Sequence, residues 1–384
     1  MDERPIIVPV DGSELAERAV PYAVALARAF GAPLLLLSVR GGLDADLIGE
    51  RELAEQVARQ EEHYYQDYLT TLAKKLAFEG SQIETQLRIG NPADEILLAV
   101  EQHEARLLVI ATHGRSGFSR WRYGSVASRL IREAAVPTLV VGPAVLEDET
   151  RAASVQRILV PLDGSPLAEA ALQPAGELAE ALGAEVVVVR VVQWASQAFI
   201  YGVPQVDVGR IAEQLTKAAE EYLAGVADRL GTARRIETNV LTGMPVDALL
   251  DVIEKEHIDL VVMASHTRAG FARAVLGSVA DRMLQGRAPV LLVRPEGASA
   301  VVRAARGRYC HACGRASPYV QLLPEDRCLR CGQYLHVCAN CVYHDGIACL
   351  LQRPEAHDVY PGRNCPYFQF RESEPPKSRR LEPH

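Results

Sequence analysis

Two similar stretches of this 384-residue chain combine residue types that suit the binding of a phosphate group. The first covers residues 111–117 and leads to Gly124-Ser125, and the second covers residues 264–270 and leads to Gly277-Ser278. Each pattern predicts the end of a strand, a loop and the start of a helix. Backbone N–H groups at a helix start have no partner within the helix, and the helix dipole favours an anion there. Both stretches are therefore candidate anion sites.

The two stretches differ at three positions, of which one bears most on ligand binding. Gly114 in the first stretch is replaced by Thr267 in the second. Glycine allows backbone to approach a ligand closely and accepts positive φ, whereas a β-branched residue is strained in that conformation. Threonine could instead supply a hydroxyl group to a ligand. We expect the first stretch to hold a ligand and leave open whether the second does.

The elements that would position these stretches also occur twice along the chain. Residues 6–13 match residues 158–165, and residues 83–92 match residues 236–245. Apolar runs alternate with helical patterns in each copy, which predicts an α/β fold with a doubly wound parallel sheet. The strands predicted in the first copy are Ile6–Val10, Leu34–Val39, Ile83–Ile89, Leu107–Ala111 and Thr138–Val141.

Helix boundaries can be predicted from capping residues and prolines. Ser13 is a predicted N-cap for the first helix, which Pro21 would kink. A long helix is predicted between residues 46 and 78. Pro92 and Ser125 are predicted to begin the next two helices.

Several residues of the first copy are predicted to lie where ligands bind in such sheets, at the carboxyl ends of the strands. Asp11 follows the first strand, Val39 ends the second, and Arg115 adds positive charge to the candidate loop. A carboxylate suits ribose hydroxyls, and amides with arginine suit phosphates, so the pattern favours a nucleotide. Two alternatives stay open: Asp11 could cap the first helix, and the glycines could serve only as turn residues. For His113 and His266 we favour a structural role in the loop.

The spacing of these residues resembles the universal stress protein family. Gly114 is followed after nine residues by Gly124-Ser125, and Asp11 follows the first strand. The resemblance covers about residues 1–143 and 155–295, here called the first and second copies. It implies two domains, each with an open sheet of five parallel strands. In that family, members that bind ATP carry the pattern Gly-x2-Gly-x9-Gly-Ser/Thr.

The resemblance implies a site for ATP or a related nucleotide in the first copy. Ala111 stands where the family pattern has its first glycine, and such a small residue leaves room for the ligand. With Arg115 included for its charge, the candidate residues are Pro9, Val10, Asp11, Val39, Ala111, Gly114, Arg115, Gly124, Ser125 and Val126. The equivalent set in the second copy is Asp163, Val191, Ala264, Thr267, Gly277, Ser278 and Val279.

Sequence motifs of common catalytic sites are absent. The chain contains no Gly-x4-Gly-Lys-Ser/Thr loop, no Gly-x-Ser-x-Gly elbow and no His-Glu-x-x-His pattern. Hydrolysis of ATP needs a positioned water and usually a metal ion, and only His113 is near the candidate loop in sequence. Binding without fast turnover is therefore favoured, with a slow ATPase or nucleotide enzyme as the alternative.

A different chemistry is predicted for the C-terminal region, which contains all eight cysteines. Two Cys-x2-Cys-Gly motifs provide four thiolates in the arrangement of a zinc ribbon. A second group follows with irregular spacing, and His344 and His357 are alternative ligands there. We predict one zinc ion at the first group, and a second zinc ion whose ligand set stays open. The cysteines are Cys310, Cys313, Cys328 and Cys331 in the first group, and Cys338, Cys341, Cys349 and Cys365 in the second.

Composition limits the remaining choices. A hydrophobic fraction of 48% and a charged fraction of 23% are those of a soluble globular protein. The net charge of -8 argues against nonspecific nucleic-acid binding by the whole chain. The acidic N-terminus is unlike a signal peptide and the apolar runs are short, so we predict a cytoplasmic protein without membrane spans.

Together these patterns predict a nucleotide-binding protein of stress response or signalling. The two copies would pair through their sheets as an intramolecular pseudo-dimer, with a higher homo-oligomer left open. Residues 308–371 would form a zinc module that recognises a protein partner, followed by a disordered tail at residues 372–384. The alternatives are a nucleic-acid-binding regulator acting through the zinc module and a scaffold without ligand.

Overall fold

The computed structural model describes residues 3–41, 51–77, 81–112, 123–147, 154–193, 208–231, 235–264 and 277–294. All of these residues belong to one compact unit. In the first copy the elements are β1 Ile6–Pro9, α1 Glu14–Glu17, α2 Val20–Phe30, β2 Leu34–Arg40, α3 Arg51–Leu76, β3 Ile83–Ile89, α4 Pro92–Gln102, β4 Leu107–Ala111, α5 Ser125–Glu133, β5 Thr138–Val141 and α6 Pro143–Glu147. In the second copy they are β6 Arg157–Leu162, α7 Pro166–Glu169, α8 Leu172–Leu182, β7 Glu185–Val192, α9 Val208–Leu230, β8 Ile236–Thr242, α10 Pro245–Lys255, β9 Leu260–Ala264, α11 Ser278–Met283 and β10 Val290–Val293.

The strands form one sheet in the order β3-β2-β1-β4-β5-β10-β9-β6-β7-β8. Pairs within each copy are parallel, which confirms the predicted α/β class. The two halves meet at β5 and β10, which pair antiparallel with Val140 opposite Val290. The two five-stranded sheets therefore form one continuous sheet. Each ends in a short apolar edge strand, and the backbone groups of that strand need partners.

Helices cover both faces of this sheet. Alternate side chains along each strand point to opposite faces, so Ile6 and Val8 pack on one side and Ile7 on the other. The first face packs against α2, α3, α8 and α9, and the second against α4, α5, α10 and α11. Burial on both faces explains why the strands are near-continuous runs of valine, isoleucine and leucine.

Local signals fix where the first helices begin and end. The Ser13 hydroxyl accepts a hydrogen bond from the backbone N–H of Ala16 at 3.2 Å and so caps α1, as predicted. The chain then breaks into two helices, and Pro21 lies in the first turn of α2. Gly31, with φ of 60°, ends α2 in a left-handed conformation that glycine accepts without strain.

Candidate functional site

The candidate residues of the first copy lie at the edge where the strand order reverses. β1 lies between β2 and β4, so the chain runs outward from β1 in opposite directions on its two sides. Asp11 follows β1, Val39 lies near the end of β2, and Ala111 is the last residue of β4. The structure therefore brings these three residues to the carboxyl ends of adjacent strands, where open α/β sheets bind ligands.

The turn after β1 is fixed to β2 by two hydrogen bonds. The backbone N–H of Val10 donates to the carbonyl oxygen of Leu37 at 2.9 Å. The hydroxyl of Ser38, which is fully buried, donates to the carbonyl oxygen of Val10 at 2.6 Å. Gly12 follows with φ of 82°, which other residues rarely adopt. The first corner, residues 10–13, thus has a defined backbone before any ligand binds.

Asp11 has a structural partner within this corner. One carboxylate oxygen, Oδ1, accepts hydrogen bonds from the backbone N–H of Ser13 at 3.0 Å and from the Ser13 hydroxyl at 2.6 Å. Asp11 therefore supports the capping residue, while Ser13 itself caps α1. This arrangement also fixes the orientation of the carboxylate at the strand end.

A second corner closes the base of the candidate phosphate loop. The N–H of Thr112 donates to the carbonyl of Val141 at 3.1 Å, and the N–H of Gly124 donates to the carbonyl of Thr112 at 2.9 Å. The end of β4 and the start of α5 are therefore held together. Gly114 and Arg115 lie outside the described residues, and their part in the site stays a prediction.

The start of α5 has the features of an anion site. Gly124 is its N-cap, with φ of -60° and ψ of 154°, and makes no side-chain capping bond. Ser125 is exposed and Val126 half-buried. The N–H groups of the first turn have no acceptor within the helix, and its dipole places partial positive charge there.

Two residues that were not predicted from sequence also surround the first corner. The Tyr68 hydroxyl, from α3, is buried close to Glu17 and Gly12. Burial, followed by the neighbouring Glu17 carboxylate, raises the pKa of Tyr68, so the phenol stays protonated. The repeat could have indicated these two residues from the sequence, because Tyr222 and Glu169 occupy the equivalent places in the second copy.

The corresponding corner of the second copy has a similar backbone arrangement. Asp163 Oδ1 accepts a hydrogen bond from the N–H of Ser165 at 2.8 Å, and Gly164 has φ of 87°. The Tyr222 hydroxyl donates to Glu169 at 2.9 Å. Burial and Glu169 raise the pKa of Tyr222 to about 12.

A cation distinguishes the second corner from the first. Arg190 occupies the position of Ser38, and its guanidinium carbon lies 4.8 Å from the centre of the Tyr222 ring. A Cβ atom added to Gly164 would lie 3.1 Å from Arg190 Nη2, so the guanidinium packs against this glycine. The second corner therefore carries a fixed positive charge where the first has a neutral hydroxyl.

The start of α11 matches that of α5 only in part. Gly277 is its N-cap, with φ of -55°, and like Gly124 it makes no side-chain capping bond. However, α11 has 6 residues against 9 in α5. A shorter helix contributes fewer aligned peptide dipoles. Thr267 lies outside the described residues.

The remaining predictions concern metals and membranes. All eight cysteines lie outside the described residues, so the zinc sites stay predictions. Within the described ranges, no group of three or more histidine, cysteine, aspartate or glutamate residues could hold a metal ion. Among the helices that the structure describes, none is long and apolar enough to cross a membrane.

Comparisons with known proteins match the duplicated part of the chain. The sequence model of the universal stress protein family matches residues 3–142 and 154–294. A universal stress protein of Mycolicibacterium smegmatis is 28% identical over 297 residues, which cover 76% of this chain and 97% of that protein. Universal stress protein MJ0531 of Methanocaldococcus jannaschii is 34% identical over 141 residues, which cover 35% of this chain and 80% of that protein.

A solved structure shares the fold of both copies together. The crystal structure of a universal stress protein from Archaeoglobus fulgidus superposes with a TM-score of 0.56 and 19% sequence identity. The match covers 77% of this chain and 99% of that one. At this identity the likeness concerns the fold alone.

Proposed function

This chain belongs to the universal stress protein family, and we propose that its first copy binds ATP or a related nucleotide in stress response or signalling. The observation that carries the proposal is the hydrogen bond of 2.9 Å between the Gly124 N–H and the Thr112 carbonyl. This bond holds the start of α5 at the same sheet edge as Asp11. An anion-binding helix start and a carboxylate at one edge suit the two polar ends of a nucleotide.

The proposed roles follow the chemistry of each group. Asp11 accepts hydrogen bonds from the ribose hydroxyls, and Val39 packs beside the base. The N–H groups of Ser125 and Val126 at the start of α5 bind the phosphates, and Gly124, whose own N–H is bonded to Thr112, lets the phosphates approach the backbone. Arg115 adds charge from the loop, and the backbone of residues 9 and 10 contacts the nucleoside.

The experiment uses Ser125, which is exposed in the first turn of α5. A carboxylate there stabilises a helix through its dipole but repels phosphate. We expect Ser125→Glu to leave folding intact and to weaken ATP binding, measured by calorimetry on the full chain, by at least about tenfold.

The matched control is Ser278→Glu, the same change at the start of α11. Its effect on the first-copy affinity should be less than about twofold, because the same added charge then lies outside the first-copy site and is screened by solvent ions. Equal weakening by the two variants, or none by Ser125→Glu, would contradict the proposed site.

We further propose that residues 308–371 bind zinc and contact a protein partner. The support is the donor set, since paired Cys-x2-Cys motifs supply the soft thiolates of tetrahedral zinc sites. We expect two zinc ions per chain by mass spectrometry under native conditions. Cys310→Ser should remove one ion, and Cys338→Ser should remove the other. Retention of all zinc in Cys310→Ser would rule out the first ligand group.

A further inference from the structure

Residues of the second copy form hydrogen bonds with the first copy near both ends of helix α5. Tyr123, the residue before the N-cap Gly124, places its hydroxyl 3.1 Å from Asp281 Oδ1 and 3.0 Å from the Asp281 carbonyl oxygen. Asp281 belongs to α11 of the second copy. At the other end of α5, Arg294 Nη2 donates to the carbonyl oxygen of Ile131 at 2.7 Å. These bonds cross the junction between the copies.

The residues that make these two bonds are not repeated at the equivalent positions of the other copy. Leu276 takes the place of Tyr123 in the second copy, and Ser128 takes the place of Asp281 in the first. A leucine side chain has no hydroxyl to donate. Gly142 stands in the place of Arg294, and a Cβ there would collide with the Leu284 carbonyl oxygen. Among the described residues, the second copy therefore fixes α5 through two side-chain bonds whose equivalents toward α11 are not found.

We infer that Asp281 of the second copy, acting through Tyr123, positions the phosphate-binding corner of the first copy. Tyr123 and Asp281 are positioning residues and need not touch the ligand. The inference rests on the proposed function, because it explains why one copy would keep a nucleotide site. In this account the site at Gly124 is complete only when the second copy is joined to the first.

The place of Tyr123 next to Gly124 explains how its bond to Asp281 would position the corner. Tyr123 and Gly124 are consecutive, so their Cα atoms lie about 3.8 Å apart and move together. Gly124 in turn bonds to Thr112 at the end of β4. Hydrogen bonds from amides to phosphate weaken steeply with misalignment. A phenol bound to a carboxylate is a charge-assisted contact, stronger than one between neutral groups.

The test compares variants of the full chain by two measurements. Hydrogen exchange without nucleotide follows the amides of Gly124 and Ser128, which bond to Thr112 and Gly124 respectively. Calorimetry gives the dissociation constant for ATP. We expect Tyr123→Phe to speed exchange at both amides and to raise the ATP dissociation constant, each by about five- to tenfold.

Three further variants separate positioning from general stability. Asp281→Asn keeps an oxygen acceptor but loses the charge, so it should speed exchange and weaken ATP binding less than Tyr123→Phe does. Asp281→Ala removes the carboxylate but keeps the backbone carbonyl as an acceptor, so its effect should exceed that of Asp281→Asn without exceeding that of Tyr123→Phe. Gln285→Ala removes a side-chain bond of 3.1 Å to the same Asp281 carbonyl but stays within the second copy. It should change neither measurement.

The outcomes are distinguishable. If the wild type binds ATP and Tyr123→Phe changes neither measurement, the inference is wrong and the proposed function stands. Faster exchange spread evenly over the first copy would also overturn the inference, because the effect would be general destabilisation. If the wild type binds no ATP while Tyr123→Phe speeds exchange only near Gly124, the proposed function is wrong and the positioning of the corner is upheld.

Discussion

Single residues make the two corners of this duplicated chain unlike. In the first copy the Ser38 hydroxyl bonds to the Val10 carbonyl at 2.6 Å. In the second, Arg190 packs against Gly164 and the ring of Tyr222. The sequence predicted a difference at Thr267, but the role of Arg190 depends on where distant residues meet. Residue types alone therefore gave candidate residues for the site but not the side chains that pack around them.

The exchange of glycine and threonine gives a prediction at this scale. Thr267→Gly should strengthen ATP binding in the second copy, because it removes a β-branched side chain from a position that favours close backbone approach. Placing the change in a Ser125→Glu background lets calorimetry report on the second copy alone. Gly114→Thr, in otherwise unmodified protein, should weaken the first copy. Equal ATP affinity in the two unmodified copies would show that this residue does not decide binding.

Among the elements, the five strands of the first copy were predicted to within a residue of their ends. β1 ends at Pro9 instead of Val10, and β2 extends to Arg40 instead of Val39. Strands buried on both faces require continuous apolar runs, which leave a clear sequence signal. The sequence predicted that the two copies pair through their sheets, but not that β5 pairs antiparallel with β10, since edge pairing uses backbone groups that every residue has.

The β5–β10 junction gives a prediction through Gly142. A Cβ at this residue would collide with the carbonyl oxygen of Leu284 in the other copy. We expect Gly142→Ala to lower the free energy of unfolding by about 1–3 kcal/mol, measured by denaturant titration.

The control for Gly142→Ala is Gly225→Ala in α9, where an added Cβ meets nothing within 4 Å. Replacing an exposed helical glycine by alanine should instead stabilise the protein by about 0.5–1 kcal/mol. If both variants behave alike, close packing at Gly142 does not stabilise the junction.

For the whole molecule, joining the copies in one sheet makes them unequal partners. Tyr123 and Arg294 both connect α5 to the second copy, at 3.1 Å to Asp281 Oδ1 and 2.7 Å to the Ile131 carbonyl. A symmetric homodimer would place the same residues on both sides of the junction. A tandem chain can assign different residues to each side, and so can keep one site and use the other copy to support it. Sequence predicted the duplication but not these long-range contacts.

We propose that each chain holds one nucleotide, in its first copy. Native mass spectrometry of the full chain, with ATP added in moderate excess, counts bound nucleotides directly. We expect one nucleotide per chain in the wild type and in Ser278→Glu, and a much lower occupancy in Ser125→Glu. Two nucleotides per chain in the wild type, or a nucleotide retained in Ser125→Glu and lost in Ser278→Glu, would contradict this proposal.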